Sequence, residues 1–155
     1  MTTRSATHGS FTIERTYPAA PSRVFAAFAS LEAKARWFGG ADESGADHDL
    51  DFRIGGRERL ASKHGDTTYT FDSVYYDIVP DERIVTAYEM YANDDRISVS
   101  VATVELTPAG SGTHLVLTEQ GVFLDGLDKN EYREHGTNDL LNKLGDVLRA
   151  EAAAN

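Results

Sequence analysis

The carboxyl group of Glu119 is the side chain of this sequence best placed for acid–base chemistry inside a core. In the predicted strand Thr113–Phe123 it shares a face with Leu115 and Leu117, because alternate residues of a strand point the same way. If the leucines pack inward the acid does too, and burial would raise its pKa above about 4.3. Glu119 is therefore a candidate proton donor. The alternatives are a paired acid, or a surface acid turned outward by a bend at Gly121.

A second set of candidate site residues consists of aromatic side chains, which could line an apolar pocket. The candidates are Trp37, Phe38, Phe52, Tyr69, Phe71 and Tyr88. Aromatic residues bury large areas in cores and in binding sites alike, so each of them could instead simply fill the core. Trp37 is the single tryptophan and follows two short predicted helices. We expect it at the mouth of the pocket.

The histidines form no catalytic or metal-binding pattern. Asp47, His48 and Asp49, with Asp51 nearby, superficially suggest a metal site, but no second histidine is near them in the sequence. We predict a solvated acidic loop over residues 41–49. The sequence has no glycine-rich phosphate loop and no nucleophile elbow, and without cysteine it has no thiol chemistry. We expect neither a metal nor a cofactor.

Length, charge and composition limit the classes of protein to which this chain can belong. The 155 residues suit one domain, predicted over residues 10–151 with residues 1–9 as a flexible tail. A formal charge of -10 argues against nucleic acid and anionic membranes as partners. The sequence contains no run of about 18 apolar residues, so no membrane span is predicted. The lack of cysteine and of an apolar N-terminal run fits a cytoplasmic protein.

The order of predicted elements is a strand, two short helices, six strands and a long helix. The strands are predicted over Phe11–Tyr17, Leu50–Ile54, Arg57–Lys63, Thr67–Val79, Arg83–Tyr91, Arg96–Thr107 and Thr113–Phe123. Short connections between consecutive strands predict an antiparallel meander. Apolar residues in both phases around residues 72–76 predict a bulge. Ser98 and Ser100 alternate with valines, so we expect these serines to face outward.

The predicted helix from Asp128 to Glu151 is the only element long enough to cover such a sheet. Its apolar stripe contains Leu140, Leu141, Leu144, Val147 and Leu148 at helical spacing. Leu144 is central in that stripe. Gly136 and Gly145 each cost a helix about 1 kcal/mol relative to alanine, which suggests that something packs closely against both. These elements together predict an α+β fold in which a curved sheet surrounds the helix.

Several stretches, in this order and spacing, resemble the homologues of the activator of the Hsp90 ATPase, C-terminal-domain type. This family belongs to the START and birch-pollen-allergen-like (SRPBCC) helix-grip superfamily. The stretches are Ile13 to Tyr17 with Pro21 to Phe25, Trp37-Phe38, Asp51 to Gly56, Asp77 to Val85 and Gly112 to Leu115. The resemblance covers roughly residues 11–148.

The resemblance implies a helix-grip fold with a cavity between a seven-stranded curved antiparallel sheet and the C-terminal helix. It also implies that Ile84, Thr86, Tyr88 and Met90 face that helix. The favoured function is binding of a small hydrophobic or aromatic molecule by the aromatic set, Glu119 and Leu144. One alternative is a polyketide-cyclase-like or hydrolase-type enzyme that uses cavity acids and tyrosines. The other is a chaperone-cofactor-type interaction module, or a homodimer, with an apolar patch at Val85, Ala87 and Tyr91.

Overall fold

The computed structural model describes residues 3–39 and 47–154 of the chain. Its helices are α1 (Pro21–Ala29), α2 (Leu31–Lys34) and α3 (Asn130–Ala154). Its strands are β1 (Ala6–Tyr17), β2 (Asp47–Leu50), β3 (Arg57–His64), β4 (Thr67–Val79), β5 (Arg83–Ala92), β6 (Asp95–Ala109) and β7 (Gly112–Leu124). The predicted element order is therefore confirmed.

The strands form one seven-stranded antiparallel sheet in the order β1-β7-β6-β5-β4-β3-β2. Strands β2 to β7 make the predicted meander, and β1 closes it by pairing with β7. The sheet curves around α3, and the helix-grip fold is confirmed. Strand β1 begins at Ala6, which pairs with Leu124, so residues 6–9 belong to the sheet and not to a tail. These residues are small or polar, so the sequence pattern did not show that the strand begins there.

The prediction for the second strand was wrong in position. Strand β2 comprises Asp47–Leu50 and pairs with β3, whereas residues 51–56 form the turn that follows it. Backbone hydrogen bonds from Gly55 to the Tyr75 carbonyl and from Tyr75 to the Gly56 carbonyl, at 2.8 and 3.0 Å, hold this turn against β4. Of the loop predicted over 41–49, residues 41–46 lie outside the described residues.

Helix α3 packs its apolar stripe against the core through Leu141, Leu144 and Leu148, all of them buried. The Tyr17 hydroxyl donates a hydrogen bond of 2.7 Å to the Leu141 carbonyl and ties β1 to the helix. Burial raises the pKa of Tyr17 to about 12, outweighing the opposing charges of Arg15 and Arg149.

The two glycines of α3 differ. A Cβ added to Gly145 would lie 3.2 Å from Tyr17 Cε1, so close packing accounts for this glycine as predicted. A Cβ added to Gly136 meets nothing within 4 Å, so the same explanation is wrong there. Gly136 instead lies beside open space along the cavity described below.

Two irregularities determine which residues of the sheet point inward. The predicted bulge in β4 is present, because the register with β5 shifts between Tyr75 and Asp77. A second shift, between Met90 and Tyr91, leaves Ile97 as an extra residue on β6. Beyond it the alternation of β6 is reversed, so Ser98 and Ser100 are buried. The prediction that these serines face outward was wrong, because regular alternation cannot reveal the bulge.

The outer face of the sheet is only partly apolar. Val85, Ala87 and Tyr91, the predicted patch, are half-buried, whereas Val99 and Val101 on β6 are exposed. Within the part of the chain that the structure describes, no helix has the length and apolarity needed to cross a membrane.

Candidate functional site

A cavity of about 710 Å³ lies between the inner face of the sheet, helix α2 and helix α3. Its wall is mostly apolar. The side chains of β5 that the resemblance placed toward the helix, Ile84, Thr86, Tyr88 and Met90, all border it. From α3 the wall includes Tyr132, Arg133, Gly136, Thr137, Leu140 and Leu141. The volume lies in the range of small-molecule binding sites.

Six of the eight candidate site residues border this cavity: Trp37, Phe38, Tyr69, Phe71, Tyr88 and Glu119. Trp37 is 3% exposed and lies in the inner wall, so its predicted place at the mouth was wrong. Its indole N–H donates to the Ala27 carbonyl at 2.9 Å, and its ring packs against Phe28. Trp37 is therefore a rigid part of the cavity wall.

Phe52 and Leu144 do not border the cavity. Phe52 lies in the turn after β2, where its ring contacts Phe25 and Tyr75 with centroid distances of 5.6 and 5.0 Å. Leu144 is fully buried in the core between α3 and the sheet. Phe52 lies away from the cavity because strand β2 ends at Leu50, before this residue. For Leu144 the reason is that the helix approaches the sheet closely at this end, beside Gly145.

Three aromatic rings form a continuous wall along one side of the cavity. Phe38 contacts Phe71 with ring centroids 5.1 Å apart, and Phe71 contacts Tyr88 at 4.7 Å. A cation lies at each end of this row. Lys34 Nζ is 4.3 Å from the centroid of the Phe38 ring, and the Arg133 guanidinium is 5.5 Å from that of Tyr88. Such cation–π contacts stabilise the charges where water is excluded.

A buried hydrogen-bond network, the Glu119 cluster, lies at one end of the aromatic wall. Its members are Tyr88, Ser98, Ser100, Glu119, Asp128 and Arg133. The Tyr88 hydroxyl donates to Glu119 Oε2 at 2.8 Å and accepts from Arg133 at 2.9 Å. Arg133 also donates to the Ser98 hydroxyl at 2.8 Å and to Asp128 at 2.7 Å. The Ser100 hydroxyl, 3.4 Å from Arg133, completes the cluster.

The electrostatics of this cluster favour a protonated Glu119. The residue is 4% exposed, and desolvation raises its pKa by more than the Tyr88 hydrogen bond and the Arg133 charge lower it. Arg133 lies 3.8 Å from Glu119 Oε2 but forms its closest ion pair with Asp128. Desolvation and the neighbouring Glu119 charge also raise the pKa of Tyr88. Tyr88 therefore stays a hydroxyl donor.

A second buried network, the Lys34 cluster, lies at the other end of the wall and consists of Lys34, His48, Glu58 and Tyr75. Glu58 Oε1 accepts from Lys34 at 2.5 Å and from the Tyr75 hydroxyl at 2.8 Å. Glu58 Oε2 lies 2.8 Å from His48 Nε2. Lys34, Glu58 and Tyr75 border the cavity. The prediction that residues 47–49 form a solvated loop was therefore wrong, since His48 lies in a strand and bonds a buried acid.

Glu58 is the ionised centre of the Lys34 cluster. Burial alone would raise its pKa, but the Lys34 charge and the hydrogen bonds from His48, Lys34 and Tyr75 outweigh it and lower the pKa to about 2. Burial and the Glu58 charge raise the pKa of Tyr75, which remains protonated. Sequence reasoning missed this cluster because its members lie on four separate elements. The only signal was a charged residue, Glu58, in phase with Leu60 on β3.

The described residues offer no metal centre, since no group of three or more histidine, aspartate and glutamate side chains lies together among them. On β2, Asp47 and Asp49 are exposed, and only His48 bonds to Glu58. The chemistry of the cavity therefore rests on two networks of acids, bases and hydroxyls at the ends of an aromatic wall.

Comparison with known proteins identifies relatives across most of the chain. The sequence model of the family described as "Activator of Hsp90 ATPase homolog 1-like protein" matches residues 18–149. No curated protein sequence matches the chain.

Solved structures also include relatives that cover most of the chain. The Mll3558 protein from Rhizobium loti is 48% identical, with 92% of this chain and 98% of that chain covered and a TM-score of 0.85. A protein from Rhizobium leguminosarum is 42% identical, with coverage of 96% and 99% and a TM-score of 0.92. CalU16 from Micromonospora echinospora is 19% identical, with coverage of 99% and 90% and a TM-score of 0.65, and shares the fold.

Proposed function

The chain belongs to the family of activator of Hsp90 ATPase homolog 1-like proteins, and from its cavity we propose that it binds a small, largely aromatic molecule there. The observation that carries this proposal is a mostly apolar cavity of about 710 Å³ with two hydrogen-bonded polar networks in its wall. That combination is typical of small-molecule sites, in which apolar contact supplies affinity and convergent polar groups fix orientation.

The aromatic wall determines the class of molecule. The rings of Phe38, Phe71 and Tyr88 meet at tilted or edge-on angles and leave a continuous apolar side for a ligand. Ring–ring contacts contribute about 0.5–1.5 kcal/mol beyond area burial, which favours an aromatic over an aliphatic ligand. At the end of this wall a protonated Glu119 carboxyl group, held by the Tyr88 hydroxyl, supplies a hydrogen-bond donor.

Filling the cavity tests the proposal. Ala102 borders the cavity, and Phe at this position would occupy the space that a ligand needs. We expect Ala102→Phe to weaken binding of acetylnaphthalene, an aromatic ketone, by at least about tenfold in calorimetric titrations. Ala87, on the opposite face of the adjacent strand β5, provides the matched control Ala87→Phe.

The proposal predicts that Ala87→Phe binds the ketone like the wild type. Thermal melting of both variants checks that they remain folded. Binding that is unchanged in Ala102→Phe, or absent from the wild type, would contradict a ligand cavity at this place.

A second candidate function, acid–base catalysis of the cyclase or hydrolase type, is favoured by the geometry of Glu119. Its Oε2 accepts from Tyr88, whereas its Oε1 has no hydrogen-bond partner among the described residues. A protonated carboxyl group with one oxygen free in a cavity can donate to a carbonyl oxygen of a bound molecule. Tyr88 and Arg133 would stabilise the carboxylate that remains.

The titration of Glu119 tests this second candidate. Since its pKa is raised in the folded state, the folded protein binds more protons than the unfolded chain above the ordinary value of 4.5. The stability that this group contributes is lost as the pH rises through the folded pKa. We therefore expect Glu119→Gln to become more stable relative to the wild type as the pH rises.

Chemical denaturation of the two proteins across this pH range is the measurement. Glu32→Gln is the matched control, because the Glu32 side chain is 88% exposed. A stability difference for Glu119→Gln that is flat from about pH 4 to 8 would show that Glu119 is not the proposed acid.

A further inference from the structure

We propose that the Lys34 cluster is a second ligand subsite, which binds an anionic group at the end of the ligand remote from Glu119. The inference rests on the proposed function and names its ligand class, an elongated aromatic molecule that carries a carboxylate or a similar oxyanion. Lys34, at the cavity wall, is the group that would contact the anion.

The sheet fixes the separation of the two clusters. Glu58 on β3 pairs with Ser73 on β4, and Ser73 pairs in turn with Tyr88 on β5. Neighbouring strands lie about 4.8 Å apart, so the backbones of Glu58 and Tyr88 are about 10 Å apart. A two-ring aromatic body with polar groups at opposite ends spans such a distance. Between the clusters, the buried Ser73 hydroxyl lacks a hydrogen-bond partner among the described residues.

The charges of the two clusters assign the ends of the ligand. In the Glu119 cluster the one cation, Arg133, already pairs with Asp128 at 2.7 Å and donates to Tyr88 and Ser98. In the Lys34 cluster the Lys34 ammonium pairs with the one carboxylate, Glu58, and its third N–H bond has no partner among the described residues. An anionic group therefore finds an unused cationic donor at the Lys34 cluster, whereas a neutral carbonyl suits the protonated carboxyl group of Glu119.

Among the described residues, Lys34 also retains a donor for a ligand. An ammonium group has three N–H bonds. One is directed to Glu58 at 2.5 Å, and the contact with the Tyr75 hydroxyl is long, at 3.5 Å. The Phe38 ring, 4.3 Å from Nζ, is the neighbour on the side of the aromatic wall. A carboxylate lying at the end of that wall would replace a cation–π contact with a charge-assisted hydrogen bond, which is stronger.

Stability alone does not account for the Lys34 cluster. A buried ion pair is often no more stabilising than apolar residues of the same volume, because both charges must be desolvated. The pair nevertheless lies in the wall of a mostly apolar cavity. A Glu58 carboxylate that is held by three donors fixes the position of Lys34 in this wall.

Two related probes test the inference. One is acetylnaphthalene, and the other is an acetylnaphthoic acid that carries a carboxylate at the opposite end of the ring system. We expect the wild type to bind the acid at least about tenfold more tightly than the ketone. The double variant Lys34→Met/Glu58→Gln, which removes both charges together, should bind the two probes with equal affinity. Glu119→Gln should keep the preference for the acid.

The outcomes separate this inference from the proposed function. Equal binding of both probes by the wild type overturns the anionic subsite and leaves the aromatic cavity intact. A double variant that still prefers the acid also overturns it, because the carboxylate then binds elsewhere. Failure of the wild type to bind either probe overturns the proposed function itself. The single variant Glu58→Gln gives independent support if its preference for the acid increases, since the Lys34 charge is then no longer neutralised.

Discussion

Glu58→Gln is expected to lower the free energy of unfolding by about 3–5 kcal/mol near neutral pH. Glu58 is 1% exposed and accepts from Lys34, Tyr75 and His48. The amide cannot neutralise Lys34, which is itself buried, so an uncompensated ammonium would remain in an apolar wall. Breaking one half of a buried pair costs far more than the pair contributes, and urea denaturation of the two proteins measures the difference.

The pH dependence of this effect has a definite sign. The pKa of Glu58 is about 2 in the folded protein, against an ordinary value of 4.5. A lowered carboxyl pKa contributes stability that is present above the unfolded value and is lost as the pH falls toward the folded one. A difference of this size corresponds to about 3 kcal/mol. The gap between wild type and Glu58→Gln should therefore narrow on acidification from about pH 4.5 toward pH 2.

Two controls isolate the buried pair. Asp51→Asn removes one partner of an exposed pair, in which Asp51 and Arg53 are 2.8 Å apart, and should cost less than about 1 kcal/mol. Lys34→Met/Glu58→Gln removes both buried charges and should recover most of the lost stability. A Glu58→Gln variant as stable as Asp51→Asn would mean that Lys34 finds another partner or reaches water.

The regular alternation of apolar residues along the strands predicted the fold. Where a bulge interrupts that alternation, the predicted side-chain directions were wrong. On β5 strict alternation put Ile84, Thr86, Tyr88 and Met90 on one face, and all four border the cavity. On β6 the bulge at Ile97 reverses the alternation, and the regular alternation of apolar and serine residues there gives no sign of it. The inward serines, which bind Arg133, were therefore predicted to face solvent.

The sequence predicted the position of Glu119 in the candidate site, but not the residues that bond to it. The shared phase with Leu115 and Leu117 was enough to bring Glu119 into the core. The partners of Glu119, and the whole Lys34 cluster, depend on pairing between residues far apart in the chain. Lys34 is on a short helix and Glu58 on a strand, and neither belongs to a motif of fixed spacing. Such clusters follow from the register of the sheet, which the sequence alone does not specify.

Leu144→Ala is expected to destabilise the protein by about 2–5 kcal/mol. Leu144 is 0% exposed and lies between the neighbours Leu141 and Leu148 of the α3 stripe. Removing its side chain forfeits the transfer free energy and leaves a void that the surroundings fill only partly. Because α3 approaches β1 closely beside Gly145, where Tyr17 lies within 3.2 Å of an added Cβ, the helix has little freedom to collapse into the void.

The matched control for Leu144 is Leu127→Ala, the same substitution at a side chain that is 49% exposed. It should cost less than about 1 kcal/mol, as should Asn142→Ala on the solvent side of α3. Thermal or urea unfolding of the three variants gives the comparison. Equal losses at Leu144 and Asn142 would show that the phase of α3 against the sheet is wrong. A cost at Leu144 near the upper end of the range, with the others near zero, would show that helix α3 is held by this stripe and not by its polar face.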